Sequence, residues 1–214
     1  MVWQEDILNN SKLHPNEDIS GLSEKIRHLA EKTGIDAIGF TDASAYNDYP
    51  LNHSKRRNPG SALPGAKSII VAGMYIGGLI LPFWSNALYG RTSRLYLSGF
   101  FCDVVKPLEP VAAFLSSRGY KAVICDTSEN ERSMIPLKPA AVRAGLGWQG
   151  KHSLLISRTF GTFLALGGIV TDAPLETNTV EEPDRCGACN RCREFCPLDA
   201  LHQPYVLEKH QSPS

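Results

Sequence analysis

The sequence predicts an α/β or α+β fold, a sheet covered by helices, with a small Cys-rich segment at its C-terminal end. Three observations predict it. Helical and strand patterns interleave through residues 20–175. Ser68 to Met74 is an uncharged apolar run with the length and composition of a buried strand. Four cysteines then crowd into Cys186-Gly-Ala-Cys189-Asn-Arg-Cys192-Arg-Glu-Phe-Cys196-Pro197. With 214 residues, 43% of them hydrophobic, the chain holds one domain of good size plus a small appendage.

The elements follow in order. Residues 1–19 read as a polar arm. Ser20 is placed to cap a helix whose Leu22, Ile26, Leu29 and Ala30 share one face, with Lys32 in the last turn and Gly34 as the stop. Ile35 to Phe40 reads as a strand. Asn47 to Ala62 is a loop in which Lys55, Arg56 and Arg57 form a solvated cluster. After the strand at Ser68, Tyr75 to Tyr89 is an apolar loop, either core filler or a lid. Its glycines and Pro82, and the lack of a following basic cluster, argue against a membrane span.

Val104, Val105, Leu108, Val111, Ala112 and Leu115 recur at helical spacing. Pro107 and Pro110 must kink that helix or restart it. Lys121 to Cys125 is a short strand with Asp126 at its end. Pro139 to Ala144 suits a short helix with Pro at its start and Gly145 beyond its end. Ser153–Ser157 and Phe163–Thr171 are strands, joined as a hairpin around Gly161. Residues 20–175 therefore form the main domain. An acidic linker, Glu176 to Asp184, opens the last unit, 176–214.

The cysteine run carries the strongest chemistry. Its spacing, C-x2-C-x2-C-x3-C-P, is the run with which bacterial ferredoxins hold a 4Fe–4S cluster. Cys186, Cys189 and Cys192 converge on one cube, whereas Cys196, followed by Pro, points away and in two-cluster proteins ligates the other cluster; all four supply thiolates, the soft ligands that iron–sulfur clusters take. Zinc also takes four thiolates, but usually as two pairs separated by a longer loop. A disulfide framework does not suit a chain of this length without a secretory signal. Cys102 and Cys125 sit among apolar residues and read as buried hydrophobes. This usage belongs to a reducing compartment, the cytoplasm. Lys plus Arg number 22, as do Asp plus Glu, so no general basic face is expected for nucleic acid.

A second dense signal is Ala144-Gly145-Leu146-Gly147-Trp148-Gln149-Gly150-Lys151-His152-Ser153. Its three glycines permit close backbone approach to a ligand. The motif leads into a strand rather than a helix, the wrong context for a dinucleotide phosphate turn. Trp148 packs on that ligand or fills core. His152 ligates a metal or makes a structural hydrogen bond.

Asp126, Pro139 to Lys151 with Ala-Gly-Leu-Gly-Trp-Gln-Gly-Lys-His-Ser-Leu-Leu-Ile, Leu166-Gly-Gly-Ile-Val-Thr-Asp172 and the cysteine run resemble epoxyqueuosine reductases. More distantly they resemble reductive dehalogenases. Leu63-Pro-Gly-Ala-Lys-Ser-Ile-Ile-Val71 and Tyr89-Gly-Arg-Thr-Ser-Arg94 are similar too. The resemblance implies a nitroreductase-like main domain that binds cobalamin base-off, and a ferredoxin-like segment whose cluster reduces Co(II) to Co(I). It implies a corrinoid site at Leu146, Gly147, Trp148, Gly150, Lys151, His152 and Ser153. It makes Asp126 the proton donor, with Tyr96 as the other candidate. A carboxyl beside an apolar corrin has its pKa raised, as a general acid needs.

Epoxyqueuosine reductases continue with a second Cys-rich run and a helical region that engages tRNA, whereas this sequence stops at Ser214. Hence Cys196, a distant residue or a second chain in a homodimer completes the cluster, and the C-terminus is natural or truncated. The expectation is a reductase of a small molecule, with tRNA set aside and an external electron donor. The alternatives are a corrinoid-activating or electron-transfer protein without substrate chemistry, which needs no Asp126, and a cluster-only carrier.

Overall fold

The computed structural model describes residues 19–46, 58–78, 80, 82–85, 88, 103–125, 135–177 and 182–207. Helix α1, Ile19–Lys32, turns Leu22, Ile26 and Ala30 inward and ends before Gly34. Ser20 lies inside its first turn instead of capping it, and its hydroxyl donates to Glu176 at 3.4 Å. The buried Ser23 ties this helix down. Its Oγ donates to the Ile19 carbonyl at 3.0 Å and accepts from the Glu176 amide at 2.8 Å.

Strand β1 spans Ala37–Asp42, two residues later than the sequence suggested, and a single turn of helix, α2, covers Pro59–Ala62. Strand β2 is Ser68–Tyr75, as its apolar run predicts. Helix α3, Val105–Ser117, runs unbroken through both prolines. Pro107 falls in the first turn, where an amide has no helical partner. Pro110 forfeits one bond, which the buried stripe Val105, Leu108, Val111 and Leu115 outweighs. Strand β3 is Ala122–Cys125. Helix α4 spans Leu137–Arg143, so it starts before Pro139, which sits in its first turn. The short strands β4, Trp148–Gln149, and β5, Leu155–Ile156, precede β6, Leu164–Thr171. Helix α5, Arg191–Glu194, lies in the cysteine run.

Four strands form one antiparallel sheet in the order β1-β2-β6-β3. The register aligns Phe40, Ile70, Ile169 and Ile124 across all four. That row faces α1 and α3 and builds one core with Ile26, Leu108 and Leu115. The opposite face, with Ile69 and Val170, packs on α4 through Leu137, Ala140 and Ala141. Both faces are buried, so β2 and β6 are apolar without alternation. The arrangement is a mixed helix-and-sheet fold of the α+β kind.

The hairpin expected around Gly161 does not join β5 to β6. Ser157 and Gly161 exchange bonds of 2.8 and 2.9 Å in a tight turn, but β5 pairs with β4. Strand β6 already has both edges filled, by β2 and β3. At Gly39 a side chain would stand 2.3 Å from the Ala144 carbonyl oxygen, so β1 crosses the end of α4 at backbone contact. That contact fixes where the glycine-rich segment leaves the core. Among the described residues no helix is long and apolar enough to cross a membrane.

Candidate functional site: a glycine-rich ribbon beside a cysteine run

Strands β4 and β5 form a two-stranded ribbon that pairs Trp148 with Ile156 and Gln149 with Leu155. Its tip is a turn in which the Gly150 amide donates to the Leu154 carbonyl at 2.9 Å and the Ser153 amide to the Gly150 carbonyl at 2.8 Å. Ser153 holds a left-handed φ of 63°, uncommon for a residue with a side chain. Gly147 has a φ of 153°, and a Cβ there would lie 2.1 Å from the Ile156 carbonyl oxygen. At Gly150 a Cβ would lie 2.6 Å from Ile156 Cδ1. The close approach these glycines permit is made to β5 of the same chain.

Two side chains of the ribbon carry chemical information. His152 Nδ1 accepts a hydrogen bond from the Leu154 amide at 3.2 Å. Burial pushes its pKa below the usual histidine value, and the positive charge of Lys138 adds to that. Because Nδ1 accepts, the ring proton of the neutral form sits on Nε2. Trp148 buries its indole N–H without a hydrogen-bond partner. A buried orphan donor is uncommon and points to a group that bonds there. Leu146 packs against the α4 side of the core.

The cysteine run folds as a turn followed by one turn of helix. The Cys189 amide donates to the Cys186 carbonyl at 2.9 Å, and α5 carries Cys192. Arg193 Nε donates to the Leu201 carbonyl at 3.0 Å, and the same guanidinium donates to the His202 carbonyl, fastening the segment behind the run. Cys186, Cys189, Cys192 and Cys196 are free thiols; Cys189 is exposed and the others are half-buried. Among the described residues no three Cys, His, Asp or Glu side chains gather to hold a single metal ion. A cube offers an iron at each of four corners, so its thiolates stand further apart than ligands of one ion. The four free thiols of this short run are the donor type that such a cluster takes. Cys125 is buried at the end of β3, as expected.

The fold brings these two motifs together. Lys151 Nζ donates to the carbonyls of Gly187 at 2.6 Å and Cys189 at 3.0 Å, and to Asn190 Oδ1 at 3.2 Å. The Tyr205 amide donates to the Lys151 carbonyl at 2.9 Å, and Gln149 Nε2 to the Tyr205 carbonyl at 3.3 Å. The Tyr205 hydroxyl donates to Asp184 Oδ2, while Asp184 Oδ1 accepts from the Cys186 amide at 2.8 Å. These bonds hold the Asp184 carboxyl below its usual range. Sequence reasoning missed Asp184, Asn190 and Tyr205, because the bonds from Tyr205 to Asp184 and from Lys151 to Asn190 join residues 21 and 39 positions apart. Asp126 and Tyr96 lie outside the described residues, as do Cys102 and Lys55, Arg56 and Arg57.

Comparison with known proteins gives these motifs a context. A reductase from Synechocystis sp. named epoxyqueuosine reductase is 33% identical over 182 residues, 82% of this chain. The chain is a relative of the epoxyqueuosine reductases. Members from Cyclobacterium marinum and Escherichia coli are each 27% identical, over 86% and 89% of the chain. The chain spans 58% of the Synechocystis reductase, 64% of the Cyclobacterium one and 55% of the Escherichia one. No family model matches it.

A crystal structure of epoxyqueuosine reductase with a modified tRNA-Tyr stem loop superposes with a TM-score of 0.68 at 22% identity. It covers 89% of this chain and 55% of the reductase. A reductive dehalogenase described as B12-dependent superposes at 0.60 and 21% identity, over 86% of this chain and 26% of its own. These likenesses establish a shared fold. The reductase with its stem loop overturns the expectation that set tRNA aside: a balanced net charge does not exclude a local nucleic-acid surface.

Proposed function

We propose that this chain is the cofactor-bearing part of a cobalamin-dependent reductase of the epoxyqueuosine reductase kind. Its substrate is an epoxide-bearing nucleoside on a tRNA stem loop. The observation that carries this reading is the contact of the glycine-rich ribbon with the cysteine run, through Lys151, Gly187 and Cys189. Both motifs that resemble the reductases meet at one place, as an electron path between two cofactors requires.

In this reading Cys186, Cys189, Cys192 and Cys196 hold a 4Fe–4S cluster. Leu146, Gly147, Trp148, Gly150, Lys151, His152 and Ser153 hold cobalamin, and the orphaned Trp148 N–H supplies a donor for a polar edge of the corrinoid. Cobalamin supplies the reducing cobalt centre and the cluster supplies its electrons. His152 would brace the ribbon tip through the bond its Nδ1 accepts from the Leu154 amide. Asp126 follows the end of β3 and delivers the proton that reduction of the substrate consumes, with Tyr96 as the other candidate. The reading includes a nitroreductase-like unit over 20–175, after an arm at 1–19, and a ferredoxin-like unit over 176–214. A reducing cytoplasm suits its thiolates.

The test is an anaerobic titration of the cluster-reconstituted protein with cob(II)alamin, read by electron paramagnetic resonance. A base-off cobalt signal without nitrogen splitting is expected, and an unchanged free-cofactor spectrum defeats the reading. With the corrinoid bound, a stem loop carrying epoxyqueuosine is expected to be reduced. Asp126→Asn should slow that turnover by about a hundredfold or more while leaving the cobalt signal intact.

A further inference from the structure

We propose that Lys151 is a positioning residue for the cluster: its ammonium clamps the cysteine run to the ribbon and raises the cluster's reduction potential. This rests on the cluster reading above but assigns the lysine side chain to the iron–sulfur side of the site.

The geometry is specific. Three oxygens from four consecutive residues, Gly187 to Asn190, converge on one ammonium at 2.6, 3.0 and 3.2 Å. An ammonium carries three donors and no acceptor, so this set uses its full capacity. Two of the oxygens are main-chain carbonyls, one of them that of Cys189 itself, so the contact does not depend on the side chains of Gly187 or Cys189. The same residue accepts from the Tyr205 amide through its own carbonyl at 2.9 Å. Lys151 therefore grips the run with its side chain and the returning segment with its backbone. Its neighbour Ser153 is held left-handed, and so is Tyr205, with φ values of 63° and 68°. These are two of the three left-handed non-glycine residues among the described ones, Asp199 being the third, and both lie where the ribbon meets the returning segment.

The electrostatic consequence follows from sign alone. Reducing a cluster adds one negative charge. A fixed positive charge bonded to the carbonyl of a ligating residue favours the reduced state. Hydrogen bonds and net charge near the sulfurs are established controls of cluster potential. The lysine thus makes the cluster easier to reduce and keeps it seated beside the ribbon that faces the corrinoid.

The experiment compares the parent chain, Lys151→Met and Lys151→Arg. Methionine keeps length and apolar stem but removes charge and donors. Amide hydrogen exchange is read on the cluster-free chains, and the midpoint potential on the reconstituted ones. In Lys151→Met, residues 186–196 should exchange about tenfold faster or more, as for loss of a charge-assisted hydrogen bond. Strands β2 and β6 should be unchanged, which excludes global unfolding. Its potential should move negative, and Lys151→Arg should restore most of that shift. Either readout unchanged in Lys151→Met overturns the assignment. A parent chain that takes up no iron and sulfide defeats the cluster reading instead, and the exchange arm still decides whether Lys151 grips the run.

Discussion

At the scale of single residues, chemistry is set by what each side chain faces. His152 faces the Leu154 amide in a half-buried turn, with Lys138 nearby, and its pKa lies below the ordinary 6.5. Unfolding returns it to a normal histidine that takes up a proton more readily. Its contribution is therefore complete above the unfolded value and is lost as pH falls through and below 6.5. His152→Gln should flatten the decline in stability on that acid side, measured by urea midpoints at a series of pH values. The four run cysteines give a second expectation. Serine at Cys186, Cys189, Cys192 or Cys196 should abolish stoichiometric iron and sulfide uptake, whereas Cys125→Ala should leave both unchanged and cost about 1 kcal/mol in stability. The crowding of the four cysteines was legible from spacing alone. The partners of Lys151 were not, since 36 to 39 residues separate it from them.

Elements come next. Strand β2 announced itself because both its faces are buried, which leaves an unbroken apolar run. Helix α3 was harder to read, because two prolines argued for a break that its buried stripe overrides. Strand β4 had no periodic signal, because a strand of two residues is too short to show one, whereas β5 fell within the apolar run Ser153–Ser157 that reads as a strand. What the sequence did show was its glycines. Gly147→Ala would force a Cβ to within 2.1 Å of the Ile156 carbonyl oxygen at a φ of 153°. It should cost about 3 kcal/mol or more in thermal or chemical denaturation, without changing the sheet's circular dichroism. Gly147 and Gly150 also let the ribbon's own strands approach closely, and the orphaned indole N–H of Trp148 adds a donor open to a ligand.

For the whole molecule, the sheet is the stable frame and the cysteine run an attachment. Strands β2 and β6 lie in the middle of the sheet with helices on both faces. Their amides should exchange only by global unfolding, while residues 182–207, anchored by Lys151, Asp184, Arg193 and Tyr205, should exchange through local opening. Native-state exchange in increasing urea measures the difference. A single common opening energy would show that the run folds as part of the domain core. The sequence by itself determined the longer helices and strands, the burial of β2 and the crowding of four cysteines, because apolar periodicity and residue spacing are local properties of a chain. Only the tertiary structure decided the strand order β1-β2-β6-β3, the pairing of β5 with β4, and the grip of Lys151 on Gly187, Cys189 and Asn190. Those depend on which surfaces meet once the core closes, and no local pattern encodes a partner dozens of residues away.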